Sequence, residues 1–359
     1  MAAVCPRPAR PSEPCRSGAP WAGEPAWVPD CALVTPRPLM LLDAASLYFR
    51  AYYGVPESIT APDGTPVNAV RGFCDMVSRL LTDHRPARLV ACLDLDWRPA
   101  FRVAALPSYK AHRVLVPGGE PPDTAPAGIP EQVPDTLAPQ VPVIQEVLAA
   151  AGLATAGAEG HEADDVIGTL CASETVDPVA VVSGDRDLMQ VVREVPTPVR
   201  LVYVGRGLAK AETLGPPEVA AKYGVPAARA GEAYAEMAML RGDPSDGLPG
   251  VPGIGAKTAA TLVGRFSSWA ELLGAVLDRS DTRLSPPVRS KLAAAAPYLA
   301  VVEPVVRVAL DAPVRLDRAD AVPATPADPD RLDELATRWA LGGTVERLVA
   351  ALATAGTPQ

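Results

Sequence analysis

The stretch Arg88-Leu-Val-Ala-Cys-Leu-Asp94 is a continuous apolar run that ends in a carboxylate. Two further runs of this kind are Leu39-Met-Leu-Leu-Asp43 and Val179-Ala-Val-Val-Ser183, the second followed by Gly184-Asp185. Such runs predict short strands buried on both faces, which are typical of a parallel sheet covered by helices. Because sites in these sheets lie at the carboxyl ends of the strands, we expect Asp43, Asp94 and Asp185 to meet at one edge.

Helical patterns separate the predicted strands. Residues 67–81 place their apolar side chains on one helical face, residues 160–173 predict another helix, and residues 198–204 predict one more strand. Beyond about residue 206 short helices dominate, up to a last helical pattern at 332–352. The predicted class is α/β, with a mostly parallel sheet flanked by helices and an all-helical region after it. The expected parts are a disordered leader at 1–38, an α/β domain at 39–205, a helical domain at 206–311, and a linker with a C-terminal helix at 312–359.

The leader contains nine prolines and no hydrophobic period, so it cannot bury an apolar face. One interpretation is that translation starts near Val34 or Met40. The intact mass of the native protein tests this interpretation.

The composition excludes several classes of protein. The chain has 33 Lys and Arg against 42 Asp and Glu, a formal net charge of −9, and 48% hydrophobic residues. This balance excludes a wholly disordered chain and a strongly basic nucleic-acid-binding tail. No apolar run approaches about 18 residues, so no membrane-spanning helix is predicted. Six cysteines without a Cys-x-x-Cys pair, and only three histidines, argue against a zinc site and a disulfide framework and indicate a reduced, cytoplasmic protein.

Carboxylates form four clusters along the chain. They are Asp43 with Asp94, Glu162 with Asp164 and Asp165, Asp185 with Asp187, and Asp243 with Asp246. Taken singly, each has an ordinary alternative role as a turn residue, a helix cap or a partner of the helix dipole. Nine carboxylates in one cleft, however, would repel one another unless cations neutralise them. Oxygen ligands without histidine or thiolate favour Mg²⁺ or Mn²⁺, and two such ions about 4 Å apart suit an in-line phosphoryl displacement.

Two further patterns indicate phosphate binding. Lys110 and Arg113 follow the 88–94 run and could neutralise a scissile phosphate, although a solvated basic turn is equally compatible with their spacing. The stretch Gly250-Val-Pro-Gly253-Ile-Gly255-Ala-Lys257 brings glycine N–H groups to a helix N-terminus, which suits a DNA phosphate without reading any base. A helix–turn–helix connection used only for packing is the alternative.

In this order, the motifs resemble the 5′→3′ exonuclease family, which is related to the 5′-nuclease domain of bacterial DNA polymerase I and to flap endonucleases. The residues that carry the resemblance lie between 39 and about 311. They are Leu-Leu-Asp43, Leu-Asp94 with Phe101-Arg102, Tyr109-Lys110-x-x-Arg113, Gly160-His-Glu162-Ala-Asp164-Asp165, Gly184-Asp185-Arg-Asp187-Leu, and Gly242-Asp243-Pro-Ser-Asp246 continuing to Lys257-Thr-Ala. The resemblance implies a PIN-like nuclease domain followed by a helix–three-turn–helix DNA-binding domain.

The resemblance also implies roles for individual residues. The first metal site would draw on Asp43, Asp94, Glu162 and Asp164, and the second on Asp165, Asp185, Asp187, Asp243 and Asp246. Lys110 and Arg113 would act on the scissile phosphate, and Arg102, Tyr109, Gly253, Gly255 and Lys257 would bind DNA. The implied cofactors are two or three Mg²⁺ ions, for which Mn²⁺ can substitute, and a K⁺ ion at the glycine-rich turn.

The chain departs from the family pattern in three places. The family forms a helical arch after the position of Arg113, whereas here prolines and Gly118-Gly119 occupy that segment. An arch-like segment at about 109–136 is therefore expected to be mobile without DNA. Two aspartates, Asp94 and Asp96, follow the apolar run that starts at Arg88. We favour Asp94 as the ligand because it directly follows the run. No polymerase sequence follows the nuclease motifs, which predicts a stand-alone nuclease.

The predicted function is a Mg²⁺-dependent 5′→3′ exonuclease on double-stranded DNA, with removal of flaps or RNA primers as an associated activity. The expected partner is DNA with 5′ ends or flaps, bound by a monomer away from membranes. A PIN-type ribonuclease with the same metals is one alternative, which the glycine-rich turn disfavours. A non-catalytic DNA-junction binding protein is another, which the complete set of carboxylates disfavours.

Overall fold

The computed structural model describes residues 37–120 and 122–357, and its central feature is a seven-stranded sheet. The strands are β1 (Leu39–Asp43), β2 (Arg88–Cys92), β3 (Ala154–Gly157), β4 (Val179–Ser183), β5 (Val199–Tyr203), β6 (Glu212–Leu214) and β7 (Arg315–Leu316). They lie in the order β6-β5-β4-β1-β2-β3-β7, with β1 to β5 parallel and the two edge strands antiparallel. The predicted mostly parallel sheet is confirmed. The predicted leader lies outside the described residues, apart from Arg37 and Pro38.

The position of β1 in the sheet determines where a site can form. β1 pairs with β2 on one side and with β4 on the other, and every residue of β1 and β4 is buried because helices cover both faces. After β1 the chain leads to β2 on one side of the sheet, and after β4 it leads to β5 on the other side. Such a reversal opens a crevice outside the carboxyl ends of the two strands. Asp43, Asp94 and Asp185 follow or end these strands and are therefore placed at that crevice.

Helices make up most of the remaining fold. Those in the described part of the chain are α1 (Ala44–Gly54), α2 (Asn68–His84), α3 (Ala100–Ala105), α4 (Gln140–Ala151), α5 (Ala163–Ser173), α6 (Pro216–Tyr223), α7 (Ala230–Arg241), α8 (Ala256–Val263), α9 (Trp269–Leu277), α10 (Pro286–Ala294), α11 (Ala296–Leu299), α12 (Glu303–Val306), α13 (Pro329–Arg338) and α14 (Gly342–Gly356). One apolar core packs the sheet against α1, α2, α4, α13 and α14, and the other packs it against α5 and the helices from α6 to α11. None of the described helices is long and apolar enough to cross a membrane.

The C-terminal segment returns to the first half of the fold. β7 pairs with β3, and α14 packs on α2 with Leu348 and Leu352 almost fully buried. One helical pattern is predicted here, but the structure has two helices, because Ala340 takes a left-handed conformation between them (φ 53°). The described part of 312–359, expected to be a linker and one helix, therefore contributes to the core. The sheet likewise continues to β6, past residue 205, where the α/β domain was expected to end.

The arch-like segment at 109–136 contains no α-helix among its described residues. Its ends run side by side through a bridge between Val114 and Glu131, and the Leu115 N–H donates to the Pro130 carbonyl over 2.8 Å. The Trp97 indole donates to the Ile129 carbonyl over 3.2 Å. The segment thus has a packed base, and its expected mobility without DNA stays a prediction.

At the opposite, amino-terminal edge of the sheet, Arg88 pairs with three carboxylates. Its guanidinium lies 2.5 Å from Glu174, 3.1 Å from Asp177 and 2.8 Å from Asp320. Burial alone would raise the pKa of Glu174, but the N–H groups of Val176 and Asp177, together with Arg88, lower it from 4.5 to about 2. The ionised Glu174 carboxylate therefore stabilises the folded chain near neutral pH.

Glu174→Gln is expected to lower the free energy of unfolding near neutral pH by about 1 kcal/mol, a value reduced for the partial exposure of Arg88. Because the folded-state pKa lies below the unfolded one, this contribution is complete above about pH 4.5 and is lost as the pH falls toward 2. Urea unfolding of the wild-type protein and of Glu174→Gln, from neutral pH down to about pH 3, measures this contribution. Glu146→Gln removes an exposed partner of Arg331 and should cost less than about 0.5 kcal/mol. A difference for Glu174→Gln that did not shrink on acidification would contradict this prediction.

Candidate active site

An open cleft of about 410 Å³ lies at the carboxyl ends of β1, β2 and β4. Its charged lining consists of Asp43, Asp94, Glu131, Glu162, Asp164 and Asp185 with Lys110, Arg113 and Arg186, and its aromatic lining consists of Phe49, Trp97 and Tyr203. Five of the nine predicted metal ligands and both predicted phosphate-binding residues therefore line one cleft. Glu131 was missed, because it lies in the 109–136 segment and carries no strand-end signal.

Asp43 is the last residue of β1 and caps α1. Its Oδ1 accepts from the Ser46 N–H over 3.1 Å, and its Oδ2 accepts from the Ser183 hydroxyl over 2.5 Å. Burial raises the pKa of Asp43 to about 7, with the charges of Asp94 and Asp185 adding to the effect and the two hydrogen bonds opposing it. The Ser183 oxygen also accepts from the Asp185 N–H over 2.8 Å, so one hydroxyl aligns two of the acidic residues. Neither serine was predicted as a site residue.

Asp164 and Asp187 are held among other carboxylates. Burial raises the pKa of Asp164 well above its usual range, and the charges of Asp43 and Asp185 add to the shift. Burial raises the pKa of Asp187 in the same way, with Asp185 and Asp246 adding to it. The Oδ1 atom of Asp187 is buried and has no hydrogen-bond partner in the described chain. This part of the site therefore contains more carboxyl groups than the neighbouring basic side chains can neutralise.

The start of α5 carries a buried network of ion pairs. Arg102 is 2% exposed and donates to Glu162 over 2.9 Å and to the two oxygens of Asp165 over 2.6 and 2.9 Å. The Tyr109 hydroxyl donates to Glu162 over 2.8 Å. Arg102 and Tyr109, which the resemblance assigns to DNA binding, are buried and both bind Glu162. Arg102 alone also binds the fully buried Asp165, and the assigned roles of these residues in binding DNA or metal stay predictions.

Asp94, rather than Asp96, belongs to the cleft. Asp94 lines the cavity, and its Oδ1 accepts from the Ala163 N–H at the start of α5 over 2.6 Å. The Oδ1 of Asp96 instead accepts from the Arg98 N–H within its own turn, over 3.1 Å. Of the two aspartates that follow β2, only Asp94 therefore lines the cleft where a metal ligand is expected.

The turn after α7 brings the fourth acidic cluster beside the cleft. Asp243 caps this turn and lies 2.9 Å from Arg186, and Asp246 lies 2.8 Å from Arg113. Arg113 also donates to the Ser245 carbonyl over 2.6 Å. Both carboxylates therefore have cationic partners, and through Arg186 and Arg113 they join the helical region to the cleft.

Lys110 lies in the cleft with an unusual backbone conformation. Its φ of 48° and ψ of 20° are left-handed, which costs a residue with a side chain about 1 kcal/mol. Its N–H donates to the Asp246 carbonyl over 3.0 Å, and its ammonium lies 2.7 Å from Glu162. Residues 108–110 pack tightly on Gly247, and a Cβ added at Gly247 would lie 2.1 Å from the Ser108 carbonyl oxygen. The surrounding contacts therefore maintain a strained lysine in the lining of the cleft.

The donor chemistry of the cleft suits hard divalent cations. Neither histidine nor cysteine lines the cavity, and a carboxylate oxygen of Asp187 lacks a partner within residues 37–357 as described. Among those residues, no three Asp, Glu, His or Cys side chains are grouped closely enough to chelate an ion as they stand. Like charges repel, and several of the carboxylates are paired with arginine or lysine instead. The residues fit Mg²⁺ or Mn²⁺ by chemistry, and closing around an ion requires these pairs to loosen.

The glycine-rich turn at 250–255 connects α7 to α8. Gly250 (φ 66°) passes the Arg241 carbonyl oxygen, which a Cβ would approach to 2.4 Å. Gly253, Gly255 and Lys257 are exposed, and the Lys291 ammonium donates to the Gly253 carbonyl over 2.9 Å. Contact between this surface and DNA stays a prediction.

Solved structures share this architecture. The T5 5′-exonuclease with bound zinc aligns with a TM-score of 0.56 and 15% identity, covering 89% of this chain and 100% of that one. Human GEN1 in complex with Holliday junction DNA aligns with a TM-score of 0.57 and 14% identity, covering 88% of this chain and 71% of that one. At these identities the likeness shows the fold alone.

Sequence comparisons extend the likeness beyond the fold. The model of the 5′-3′ exonuclease N-terminal resolvase-like domain matches residues 38–224, and that of the C-terminal SAM fold matches residues 230–330. The chain is 58% identical to a 5′-3′ exonuclease of Mycobacterium tuberculosis (88% of this chain, 98% of that protein) and 53% identical to one of Streptomyces coelicolor (87% and 99%). It is also 32% identical to DNA polymerase I of Bacillus subtilis over 69% of this chain and 26% of the polymerase. The chain therefore belongs to the 5′-3′ exonuclease family.

Proposed function

We propose that the protein is a Mg²⁺-dependent 5′→3′ exonuclease that acts preferentially on double-stranded DNA, with removal of 5′ flaps or RNA primers as an associated activity. The observation that carries the proposal is the convergence of five predicted ligand carboxylates on one cleft beside Lys110 and Arg113. Carboxylates in this number serve hard cations, and neighbouring basic side chains serve a phosphate. We also infer that the protein acts as a cytoplasmic monomer.

Two metal ions would be held by different parts of the cleft. The ligands of the first would be Asp43, Asp94, Glu162 and Asp164, and those of the second Asp185 and Asp187 with Asp246 nearby. When bound, the ions neutralise the carboxylates and stabilise charge on a phosphate undergoing in-line displacement. Asp165 and Asp243 support these ligands through Arg102 and Arg186. Mn²⁺ has the same preference for oxygen ligands and would substitute for Mg²⁺.

The chain's own side chains bind and orient the substrate. The Lys110 ammonium and the Arg113 guanidinium line the cleft and would hold the scissile phosphate. The terminal nucleotides must leave the base stack to reach them, which costs a few kcal/mol. Phe49 and Tyr203 line the same cavity and offer aromatic surfaces for an unstacked base.

The glycine-rich turn would grip the duplex behind the cleft. Exposed backbone at Gly253 and Gly255, with Lys257 in the first turn of α8, suits a phosphate contact that reads no base. A K⁺ ion at this turn, as the family resemblance implies, would share the Gly253 carbonyl with the Lys291 ammonium. The enzyme would accordingly depend on duplex shape rather than on sequence.

A DNA duplex labelled at one 5′ end tests the proposed function. In Mg²⁺ we expect release of labelled mononucleotides or short oligonucleotides, because the proposed cleavage depends on divalent ions that the carboxylates would hold. EDTA should stop the release, and added Mn²⁺ should restore it. The same duplex labelled at the 3′ end of that strand should lose its label only after the strand has been shortened from its 5′ end, which controls for direction.

Matched DNA, RNA and 5′-flap substrates distinguish the alternatives. Faster cleavage of RNA than of duplex DNA would favour the PIN-type ribonuclease. Binding of DNA without cleavage in either metal would favour a non-catalytic junction-binding protein. Either result contradicts the proposed function.

A further inference from the structure

We propose that Arg98 is a positioning residue that holds the backbone of Lys110 in its left-handed conformation and thereby sets the rate of cleavage. The inference rests on the proposed function, specifically on the phosphate-binding role of Lys110. Arg98 follows β2, is 1% exposed and is not part of the cleft lining, so it would act through another residue rather than on the substrate.

The Arg98 guanidinium is surrounded by backbone carbonyls. Its Nε donates to Tyr109 over 2.5 Å, its Nη1 to Pro126 over 2.7 Å, and its Nη2 to Pro107 over 2.9 Å and to Ala125 over 2.7 Å. None of these four acceptors is a carboxylate. Burying a cation is costly without compensating hydrogen bonds, and a planar guanidinium fork fixes the relative positions of the groups that it binds. Arg98 therefore locks one chain segment (107–109) to another (125–126).

One of these four carbonyls belongs to the peptide unit that enters Lys110. The Tyr109 C=O and the Lys110 N–H lie in the same planar peptide group. Arg98 binds the carbonyl side of that plane, and the Asp246 carbonyl accepts the N–H on the other side over 3.0 Å. A plane tied at both polar groups cannot rotate freely, so the positive φ of Lys110 is maintained and its ammonium stays in the cleft.

Removing Arg98 would free the Tyr109 carbonyl and so untie one side of the peptide plane that enters Lys110. The backbone of this turn would still bind the helical region through the Lys110 N–H and the Ser108 hydroxyl, and the side chains of Tyr109 and Lys110 would still bind Glu162, but none of these contacts holds that carbonyl. The left-handed conformation is unfavourable for lysine, so the freed peptide plane would relax toward ordinary φ values. The ammonium would then move away from its place beside Glu162.

A double-mutant cycle between Arg98 and Lys110 tests the inference. Arg98→Met should lower kcat about 10- to 100-fold, the effect typical of losing a supporting residue or displacing a reacting group. KM for the duplex should change less than about threefold, because the helical region still binds DNA. In the Lys110→Met background, Arg98→Met should lower kcat by at most about a further twofold, since the residue that it positions is gone. Arg98→Lys, which cannot span four carbonyls, should behave like Arg98→Met and provides a second variant should the first not fold.

Arg193→Met is the matched control. Arg193 also donates to backbone carbonyls, those of Cys171, Glu174 and Thr197, but it lies outside the cleft lining. This variant should lower Tm without changing kcat. The Tm of every variant is measured in Mg²⁺, and the rates are then measured at a temperature well below the lowest Tm, so that all variants are folded.

The outcomes separate this inference from the proposed function. Unchanged kcat in Arg98→Met, or a loss of equal size in the wild-type and Lys110→Met backgrounds, would overturn the positioning role while leaving the nuclease activity in place. An unchanged kcat in Lys110→Met would instead overturn the role of Lys110 and the inference with it. Absence of cleavage by the wild-type chain would contradict the proposed function itself.

Discussion

Asp185→Asn is expected to lower kcat for 5′-end cleavage by about 10³-fold while leaving the affinity for duplex DNA nearly unchanged. Removing a carboxylate that holds a metal forfeits several kcal/mol of transition-state stabilisation, and each step of about 1.4 kcal/mol is tenfold in rate. The asparagine oxygen can still accept from the Asp187 N–H, which lies 2.8 Å from Asp185 Oδ1, so the turn after β4 keeps its shape. Single-turnover cleavage and equilibrium DNA binding, both in Mg²⁺, measure the two quantities.

The same variant should be more stable than the wild-type chain when metal is absent. Asp43, Asp164 and Asp187 all carry pKa shifts to which the charge of Asp185 contributes, so removing that charge relieves repulsion. The rise in Tm on adding Mg²⁺ should be smaller in the variant, because stabilisation by a ligand follows its affinity. Asp96→Asn alters a nearby aspartate outside the cleft and should cut at the wild-type rate. Cleavage by Asp185→Asn at that rate would refute its assignment as a metal ligand.

Arg102→Met is expected to lower the free energy of unfolding by about 3–5 kcal/mol, the effect of leaving buried charges without their partner. Methionine fills much of the volume but leaves Glu162 and Asp165 without a guanidinium. It also removes the hydrogen bond that Arg102 donates to the Val305 carbonyl over 3.1 Å, which joins the nuclease half to the helical region. Urea unfolding at constant pH without added metal measures the loss.

Two further variants show whether the loss arises from buried charge. Asp165→Asn in the Arg102→Met background should recover about 1–2 kcal/mol, because one of the unpaired charges is removed. Arg79→Met breaks an exposed pair with Asp83 and should cost less than about 0.5 kcal/mol. A loss below about 1 kcal/mol for Arg102→Met would show that its ion pairs contribute no more than surface pairs do.

The strand-end carboxylates could be predicted from the sequence because their signal is local. A short apolar run indicates a buried strand, and the aspartate that ends or follows it must lie at the carboxyl edge of a parallel sheet. Asp43, Asp94 and Asp185 were placed together by this reasoning, and the structure places all three in one cleft. The α/β class and the helical region after it followed from the same periodicities.

The contacts that hold the cleft could not be predicted in this way, because they join residues far apart in the chain. Arg102 binds Glu162 from 60 residues away, and Ser183 binds Asp43 from 140 residues away. A single arginine or serine carries no periodicity that would reveal such a partner. β7 is likewise too short, at two residues, to leave a strand pattern, although it extends the sheet.

The return of the C-terminal segment has a consequence for synthesis of the protein on the ribosome. α14 covers α2, and β7 pairs with β3, so a segment that is translated late completes a core whose other side is made first. Chains emerge from the N-terminus, and incomplete folds expose apolar surface and strand edges that promote aggregation. Until α14 is available, the nascent chain presents the uncovered face of α2, and the finished nuclease forms only when translation has passed that helix.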